Sequence, residues 1–104
     1  MGEPMTNAMD GLQAEVTCGS CPLQIEGTID GEPFYFRARD RQWYMGLGGD
    51  PINEPAWQMG GPWGDGPTAA GWMPVETGRA IVEECCRVWR AVVRDQRRDL
   101  QPAH

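Results

Sequence analysis

The chain has 104 residues and a formal net charge of −6, with fifteen acidic residues against nine basic residues, all of them arginines. This length suits one small domain with a single core. The negative charge disfavours unassisted binding to nucleic-acid phosphates, and no apolar run reaches the length of a membrane span. We therefore expect a single domain over residues 1–104 that works in the cytoplasm, with no membrane and no direct nucleic-acid partner.

Residues 1–20 show no regular apolar period and contain several small or polar side chains. The ends of domains are poorly ordered unless packing holds them. We predict a flexible leader over this range, with ordered structure beginning near Pro22.

Residues 22–47 alternate apolar and polar side chains at a period of two, which indicates half-buried strands. Asp30 and Gly31 form the dipeptide most typical of a two-residue hairpin turn. A second tight turn is predicted at Asp40 and Arg41. Three antiparallel strands in consecutive order, a β-meander, follow from these two turns.

The two predicted turns can be tested against each other, because opposed residues of a hairpin project from the same face. The first turn places Ile25 opposite Phe36 and Leu23 opposite Ala38. The second places Phe36 opposite Met45, again on that face. Both turns therefore predict one shared apolar face.

The other face of the predicted meander is polar and carries Tyr35, Arg37 and Tyr44. One interpretation is a solvent-facing surface held by cross-strand pairs. The other is a docking surface, because tyrosine and arginine are enriched at binding hot spots. We include these three residues among the candidate partner-binding residues.

Residues 48–73 are rich in glycine and proline and show no regular period, so they are predicted to form a long loop. The loop contains Trp57, Trp63 and Trp72. These indoles either cover an edge of the sheet or anchor a partner, and the position of Trp72 next to the predicted helix start favours the covering role for that residue. The second interpretation makes Trp57 and Trp63 candidate partner-binding residues.

The predicted loop is also acidic. No basic residue lies between Arg41 and Arg79, and the interval contains Asp50, Glu54 and Asp65. Carboxylates beside exposed indoles would steer a basic protein towards the loop. We therefore add these three acids to the candidate partner-binding residues.

Residues 74–98 are predicted to form one long helix that begins at Pro74. Its apolar residues follow the three-four spacing of one stripe, and they are Ile81, Val82, Cys85, Val88, Trp89, Val92 and Val93. The predicted fold is thus α+β: a three-stranded antiparallel β-meander packed on one long C-terminal helix, with a Gly/Pro/Trp-rich loop between them.

No catalytic set can be assembled from the sequence. The only histidine is His104, the last residue, and no phosphate-binding glycine fingerprint is present. We predict no enzyme activity, no catalytic residue and no cofactor.

Four cysteines leave several possibilities open: a metal site, a disulfide or redox pair, and thiols that are buried or free. Cys18 and Cys21 have the spacing of half a zinc site. Cys85 and Cys86 are adjacent on the predicted helix, so their side chains diverge and do not easily share one metal. We predict thiols and no metal site.

Two segments resemble a group of small uncharacterised proteins encoded by phages and prophages. They are "CPLQIEGTIDGEPFYFRARDRQWYMGLG", residues 21–48, and "AGWMPVETGRAIVEECCRVW", residues 70–89. The matching positions, including Asp30, Gly31, Phe34, Phe36 and Trp43, are mainly fold-making. The resemblance implies no catalytic or binding residue.

By analogy, the phage setting of that group looks like that of anti-CRISPR and other counter-defence proteins. This analogy implies a non-catalytic inhibitor that binds a host CRISPR effector protein or complex in the host bacterial cytoplasm. One alternative is a nucleic-acid-binding sheet, in which Tyr35 and Tyr44 stack on bases while Arg37 and Arg39 contact phosphate. Another is a phage regulatory or accessory protein, and a homodimer joined through a sheet edge is a further expectation.

Overall fold

A computed structural model describes residues 9–19, 22–64 and 69–100, with the side chains of residues 97–100 excluded. Five antiparallel strands form one sheet in the order β1-β2-β3-β4-β5. The strands are Leu12–Gly19 (β1), Leu23–Ile29 (β2), Glu32–Arg39 (β3), Gln42–Asp50 (β4) and Glu54–Pro62 (β5). A short 3-10 helix, Ala69–Trp72, precedes the α-helix Val75–Leu100 (α1). The α+β class is compatible with this structure, but the prediction of a three-stranded meander is wrong.

The three predicted strands are the middle strands of the sheet, β2, β3 and β4. Their predicted register is confirmed, since Ile25 pairs with Phe36 and Phe36 pairs with Met45. In the first turn, Asp30 has φ 52° and Gly31 has φ 82°. Positive φ at both central residues is what a type I′ turn requires.

The flexible leader is wrong from Leu12 onward, because Leu12–Gly19 is strand β1, and residues 1–8 lie outside the described residues. The strand pairs with β2 along its length. The Asp30 N–H also donates to the Gly11 carbonyl oxygen at 3.0 Å, which extends this ladder beyond the strand. Leu12 is buried, so β1 contributes to the core.

The long loop over residues 48–73 is also wrong, because it contains strand β5 and the 3-10 helix. β5 pairs with β4 from Glu54 to Pro62 despite two prolines and two adjacent glycines. Edge strands tolerate proline where the missing N–H would point away from the neighbouring strand, as it does at Pro62. The β4 ladder therefore outweighs the low strand propensity of this segment.

Helix α1 packs across one face of the sheet, which we call the core face. Gly78 lies against Leu23 and Phe36, where β2 begins and β3 ends. At the other end of the sheet, the Arg90 guanidinium donates to both carboxylate oxygens of Asp30, at 2.9 and 2.7 Å, and to the Asp10 carbonyl oxygen. The helix thus spans the sheet from end to end.

The helix buries the centre of its predicted stripe, Val82, Cys85 and Trp89. Cys86 is also buried, although the predicted stripe did not include it. Ile81 and Val93 pack against this core from its margin. Together these side chains meet the apolar face of the middle strands, as the sequence predicted.

The sheet has one end that is rich in carboxylates, and we call it the acidic end. It lies where β1, β3 and β5 begin and carries Asp10, Asp30, Glu32, Asp50 and Glu54. The β3–β4 turn lies at the opposite end. There the Ala70 N–H donates to the Asp40 carbonyl oxygen at 2.9 Å, which places the 3-10 helix beside this turn.

The close contact between β1 and β2 can be tested by a substitution at Gly27. A Cβ at this position would overlap the Gln13 carbonyl oxygen and lie 2.8 Å from the Ala14 Cα, both in the backbone of β1. We expect Gly27→Ala to lower the free energy of unfolding by about 1–3 kcal/mol, the usual cost of overpacking. Urea denaturation measures this loss.

Gly19→Ala is the matched control, because a Cβ there meets nothing within 4 Å. It should leave the unfolding midpoint nearly unchanged. Equal midpoints for the Gly27→Ala variant and the native chain would contradict the close contact between β1 and β2.

Candidate functional site

The turn between β4 and β5, residues 50–54, is the hairpin tip, and hydrogen bonds within it hold its shape. The Asp50 carboxylate accepts from the N–H groups of Ile52 and Asn53, at 3.1 and 3.2 Å. The Asn53 side-chain amide donates to the other carboxylate oxygen at 3.2 Å. The bonds from Asn53 are the main cause that holds the pKa of Asp50 below its ordinary value. Asp50 is therefore ionised and fixed at neutral pH.

The hairpin tip folds back towards the face of the sheet that α1 does not cover, which we call the open face. Two consecutive glycines in β4, Gly48 and Gly49, have φ 78° and 62°, a conformation that other residues rarely adopt. Beyond them, the Pro51 carbonyl oxygen approaches Gly46 so closely that a Cβ there would overlap it. The glycines thus permit both the bend and the contact.

Tyr44 fixes the folded-back tip to the open face. Its hydroxyl donates to the Pro51 carbonyl oxygen at 3.0 Å. Burial is the largest influence on this phenol and raises its pKa, while the neighbouring Arg37 acts in the opposite direction. A candidate docking residue therefore has an internal structural role.

Apolar surface accompanies the acids of this hairpin. Ile52 is 56% exposed at the hairpin tip, between Asp50 and Glu54, and Met59 of β5 is 36% exposed. Trp57 is half-buried and packs against the core. The β4–β5 hairpin therefore presents apolar side chains and carboxylates on one rigid element.

An open groove of about 920 Å³ lies beside the hairpin at the acidic end. Trp57 lines it from β5, while Trp89 and Val93 line it from α1. Asp30 and Arg90, which bind each other, are also in its lining. The groove could accept an apolar side chain of a bound protein next to the two indoles.

Among residues 9–19, 22–64 and 69–100, no strand pairs with the outer side of β5, which we call its free edge. The Trp63 N–H donates to the Arg41 carbonyl oxygen at 2.9 Å. Counting back from Trp63, the odd-numbered residues of β5 direct their backbone groups towards β4. In an antiparallel ladder the residues between hydrogen-bonded pairs direct their backbone groups away from the neighbouring strand. By this alternation Ala56, Gln58 and Gly60 direct theirs to the free edge.

The structure brings only some of the predicted partner-binding residues together. Asp50 and Glu54 flank the hairpin tip, Trp57 lies along β5, and Arg37 pairs with Tyr44 on the adjacent open face. Trp63 lies at the opposite end of the sheet beside Arg41. Asp65 lies outside the described residues.

The open face is less available for stacking than the sequence suggested. Tyr35 is only 8% exposed, and its hydroxyl accepts from the Gln24 side-chain amide at 3.2 Å. Arg39 is exposed and lies 3.8 Å from the Asp40 carboxylate. Tyr35 therefore lacks the free ring face that a nucleic-acid base would need.

Comparison with protein-family models, with curated proteins and with solved structures found no match to this chain. In the described part of the chain, no group of three or more His, Cys, Asp or Glu side chains is arranged to hold a metal ion. No helix among the described residues is long and apolar enough to cross a membrane.

Sequence reasoning missed Ile52, Met59 and the exposure of Trp72. Trp72 is 65% exposed next to the start of α1, although its position in the sequence favoured a covering role. Ile52 follows a proline in a segment with no period, so no pattern singled it out. The Asp-Pro pair before it is typical of a turn, and that signal could have placed an exposed apolar residue there.

The contribution of Tyr44 to the free energy of unfolding should depend on pH in the alkaline range. Folding favours the protonated phenol because burial raises its pKa above 10.0. The stabilisation is complete below the unfolded pKa and is lost as the pH rises through the higher folded pKa. In a Tyr35→Phe variant Tyr44 is the only tyrosine, so we expect phenolate absorbance to appear at a higher pH in the folded protein than in denaturant.

The hydrogen bond itself is tested by Tyr44→Phe, which should lower the free energy of unfolding at neutral pH by about 0.5–1.5 kcal/mol. Identical phenolate titrations in folded and denatured protein would contradict the burial of this hydroxyl.

The helix cysteines should be chemically inert in the folded protein. Burial raises the pKa of both Cys85 and Cys86 to about 12, which suppresses the reactive thiolate. Trypsin releases both in one peptide, residues 80–87, so mass spectrometry follows them apart from Cys18 and Cys21. We expect alkylation of this peptide by N-ethylmaleimide to be at least about 100-fold slower in native than in denatured protein. Similar rates would show that the helix does not pack as described.

Proposed function

We propose that this protein is a non-catalytic inhibitor of the anti-CRISPR kind, which binds a host CRISPR effector complex through its β4–β5 hairpin. The hairpin tip makes the contact, with Ile52 between Asp50 and Glu54. The observation that carries the proposal is Ile52, an exposed apolar side chain between two carboxylates on a turn held by its own hydrogen bonds.

The rigidity of the hairpin tip supports a binding role. Ordering a loop on association costs binding free energy, and a turn that is already fixed avoids most of that cost. The Asp50 hydrogen bonds and the Tyr44 contact with Pro51 fix this turn in the free protein. The backbone that carries Ile52 is thus held in place before a partner binds.

The charge of the hairpin supports the choice of partner. Effector surfaces that hold guide RNA or target DNA are basic, because they must neutralise phosphates. Asp50 and Glu54 would meet such a surface in place of phosphates, and Ile52 would add the apolar contact at the centre. A phage protein of this kind would act in the cytoplasm of its bacterial host.

A nucleic-acid-binding sheet is the second candidate, but the geometry favours it less. Its stacking residues would be Tyr35 and Tyr44, and the first is buried while the second uses its hydroxyl within the protein. Arg37 and Arg39 remain on that face, and Arg37 lies opposite Gln24.

The proposal is tested with several purified CRISPR effector complexes loaded with guide RNA. Target cleavage is measured with increasing amounts of this protein, and the dissociation constant is measured by calorimetry for any complex inhibited. We expect Ile52→Asp and Glu54→Lys each to raise that constant at least about tenfold, as hot-spot changes do. Both side chains are exposed, so the fold should survive.

Matched controls lie elsewhere on the surface. Trp72→Ala removes an exposed apolar side chain near the start of α1, and Glu84→Lys reverses a carboxylate on the exposed side of the helix. Each should change the constant less than about twofold. Inhibition that ignores both hairpin variants, or no inhibition of any effector, would contradict the proposal. A gel shift with short single-stranded RNA or DNA, lost in Tyr35→Ala, would favour the second candidate.

A further inference from the structure

We propose that two copies of this chain pair through the edges of their β1 strands that no other described strand occupies, which we call the free edges. The strands run antiparallel, with Ala14 opposite Ala14 of the second copy, and the two sheets join into one of ten strands. This pairing uses the edge of the sheet opposite to β5, so it is independent of any protein bound at the β4–β5 hairpin.

The direction of the backbone groups in β1 is set by its ladder with β2. The Asp30 N–H donates to the Gly11 carbonyl oxygen, and the Gln13 carbonyl oxygen lies against Gly27 of β2. Odd-numbered residues of this stretch therefore face β2, and Leu12, Ala14 and Val16 direct their backbone groups to the free edge. A stretch of five residues, 12–16, is available for pairing.

This free edge lacks the usual protection against another strand. Natural edges are blunted by proline, by several charges or by bulges. Residues 12–16 contain no proline and one charge, Glu15, and the β1 bulge comes only after Val16. By contrast, β5 has prolines at 55 and 62, and Pro62 lacks the N–H that its outward position would offer. The two edges are therefore not equivalent.

The apolar side chains of β1 also favour pairing with a second copy. Leu12, Ala14 and Val16 lie on the core face, and the last two are only half-buried in a single copy. With Ala14 opposite Ala14 of the second copy, Leu12 of each copy lies opposite Val16 of the other. Both half-buried side chains then gain an apolar neighbour across the junction.

The register centred on Ala14 forms more hydrogen bonds than the register centred on Gln13. The Leu12 N–H is already bonded to the Met9 carbonyl oxygen at 3.4 Å, so only its carbonyl is free. With Ala14 opposite itself, the Ala14 pair forms two bonds and the Val16 N–H groups form two with Leu12 carbonyls. A register centred on Gln13 would form only the two bonds from Ala14 to Leu12.

Charge disfavours a register centred on Glu15. Centring the pair on Glu15 would oppose two carboxylates directly, which destabilises a sheet. Centring it on Ala14 instead places Glu15 opposite Gln13 of the second copy, whose amide can donate to the carboxylate. This contact is useful because Glu15 already faces Glu26 across the β1–β2 ladder, and Glu26 accepts from the Thr17 hydroxyl at 2.7 Å.

The first test removes the outward N–H of Ala14. Ala14→Pro leaves the β1–β2 ladder intact, because that N–H faces away from β2, and proline is tolerated on an edge. The matched control is Gln58→Pro, which removes an outward N–H from β5. We expect sedimentation velocity to show a concentration-dependent dimer, with a dissociation constant raised at least about tenfold by Ala14→Pro and left unchanged by Gln58→Pro.

The second test uses changes of charge to identify the register. Gln13→Glu opposes carboxylates at two places in the dimer and should raise the dissociation constant at least about tenfold. Adding Glu15→Lys should restore the native constant, because each new carboxylate then meets an ammonium group of the other copy. In a register centred on Gln13 this second change would not rescue the first. Circular dichroism and melting curves verify the fold of each variant.

Each contrary outcome overturns the proposal. A monomer at all concentrations from about 1 to 500 µM would show that β1 does not pair. Dissociation by Gln58→Pro but not by Ala14→Pro would place the interface on β5. A failed rescue by Glu15→Lys would disprove the register.

Discussion

The architecture depends on a difference in width between one helix and a five-stranded sheet. A helix with its side chains is about 10 Å across, whereas five strands spaced about 4.8 Å apart span roughly 20 Å. Helix α1 therefore seals the middle of the core face, where Ile25, Phe36 and Met45 are fully buried. Towards the edges, Val16 of β1 and Trp57 of β5 are only half-buried. The proposed β1 interface lies where the helix cover ends.

The open face has no second layer in the described structure, so its polar groups bond to one another. The Gln24 amide donates to Tyr35, and Thr17 donates to Glu26. The hairpin tip acts as a small lid over the end of this face, where Tyr44 holds it. A face that would suit nucleic acid by composition is thus largely committed to holding the sheet together. The hairpin tip keeps its exposed groups because its bonding needs are met within the turn.

The middle of the fold could be predicted from the sequence, and its edges could not. The Asp30-Gly31 turn and the alternation around Phe36 gave the register of β2, β3 and β4, because these signals are local. Strand β5 was missed because Pro55, Gly60, Gly61 and Pro62 have low strand propensity, and only the β4 ladder makes that segment extended. Strand β1 was missed because its alternation is short and a segment without a pattern precedes it. Candidate residues at the edges were therefore assigned to a loop.

Arg90 has a consequence for how the helix is positioned along the sheet. The stripe on α1 repeats similar apolar side chains turn after turn, so away from the close contact at Gly78 its packing discriminates weakly against a slide of one turn, about 5.4 Å. Arg90 instead binds one carboxylate with two nitrogens and a backbone carbonyl as well, and this geometry tolerates little displacement. One guanidinium and one glycine, at opposite ends of the sheet, thus set the axial alignment of two layers whose remaining apolar contacts discriminate weakly between alignments.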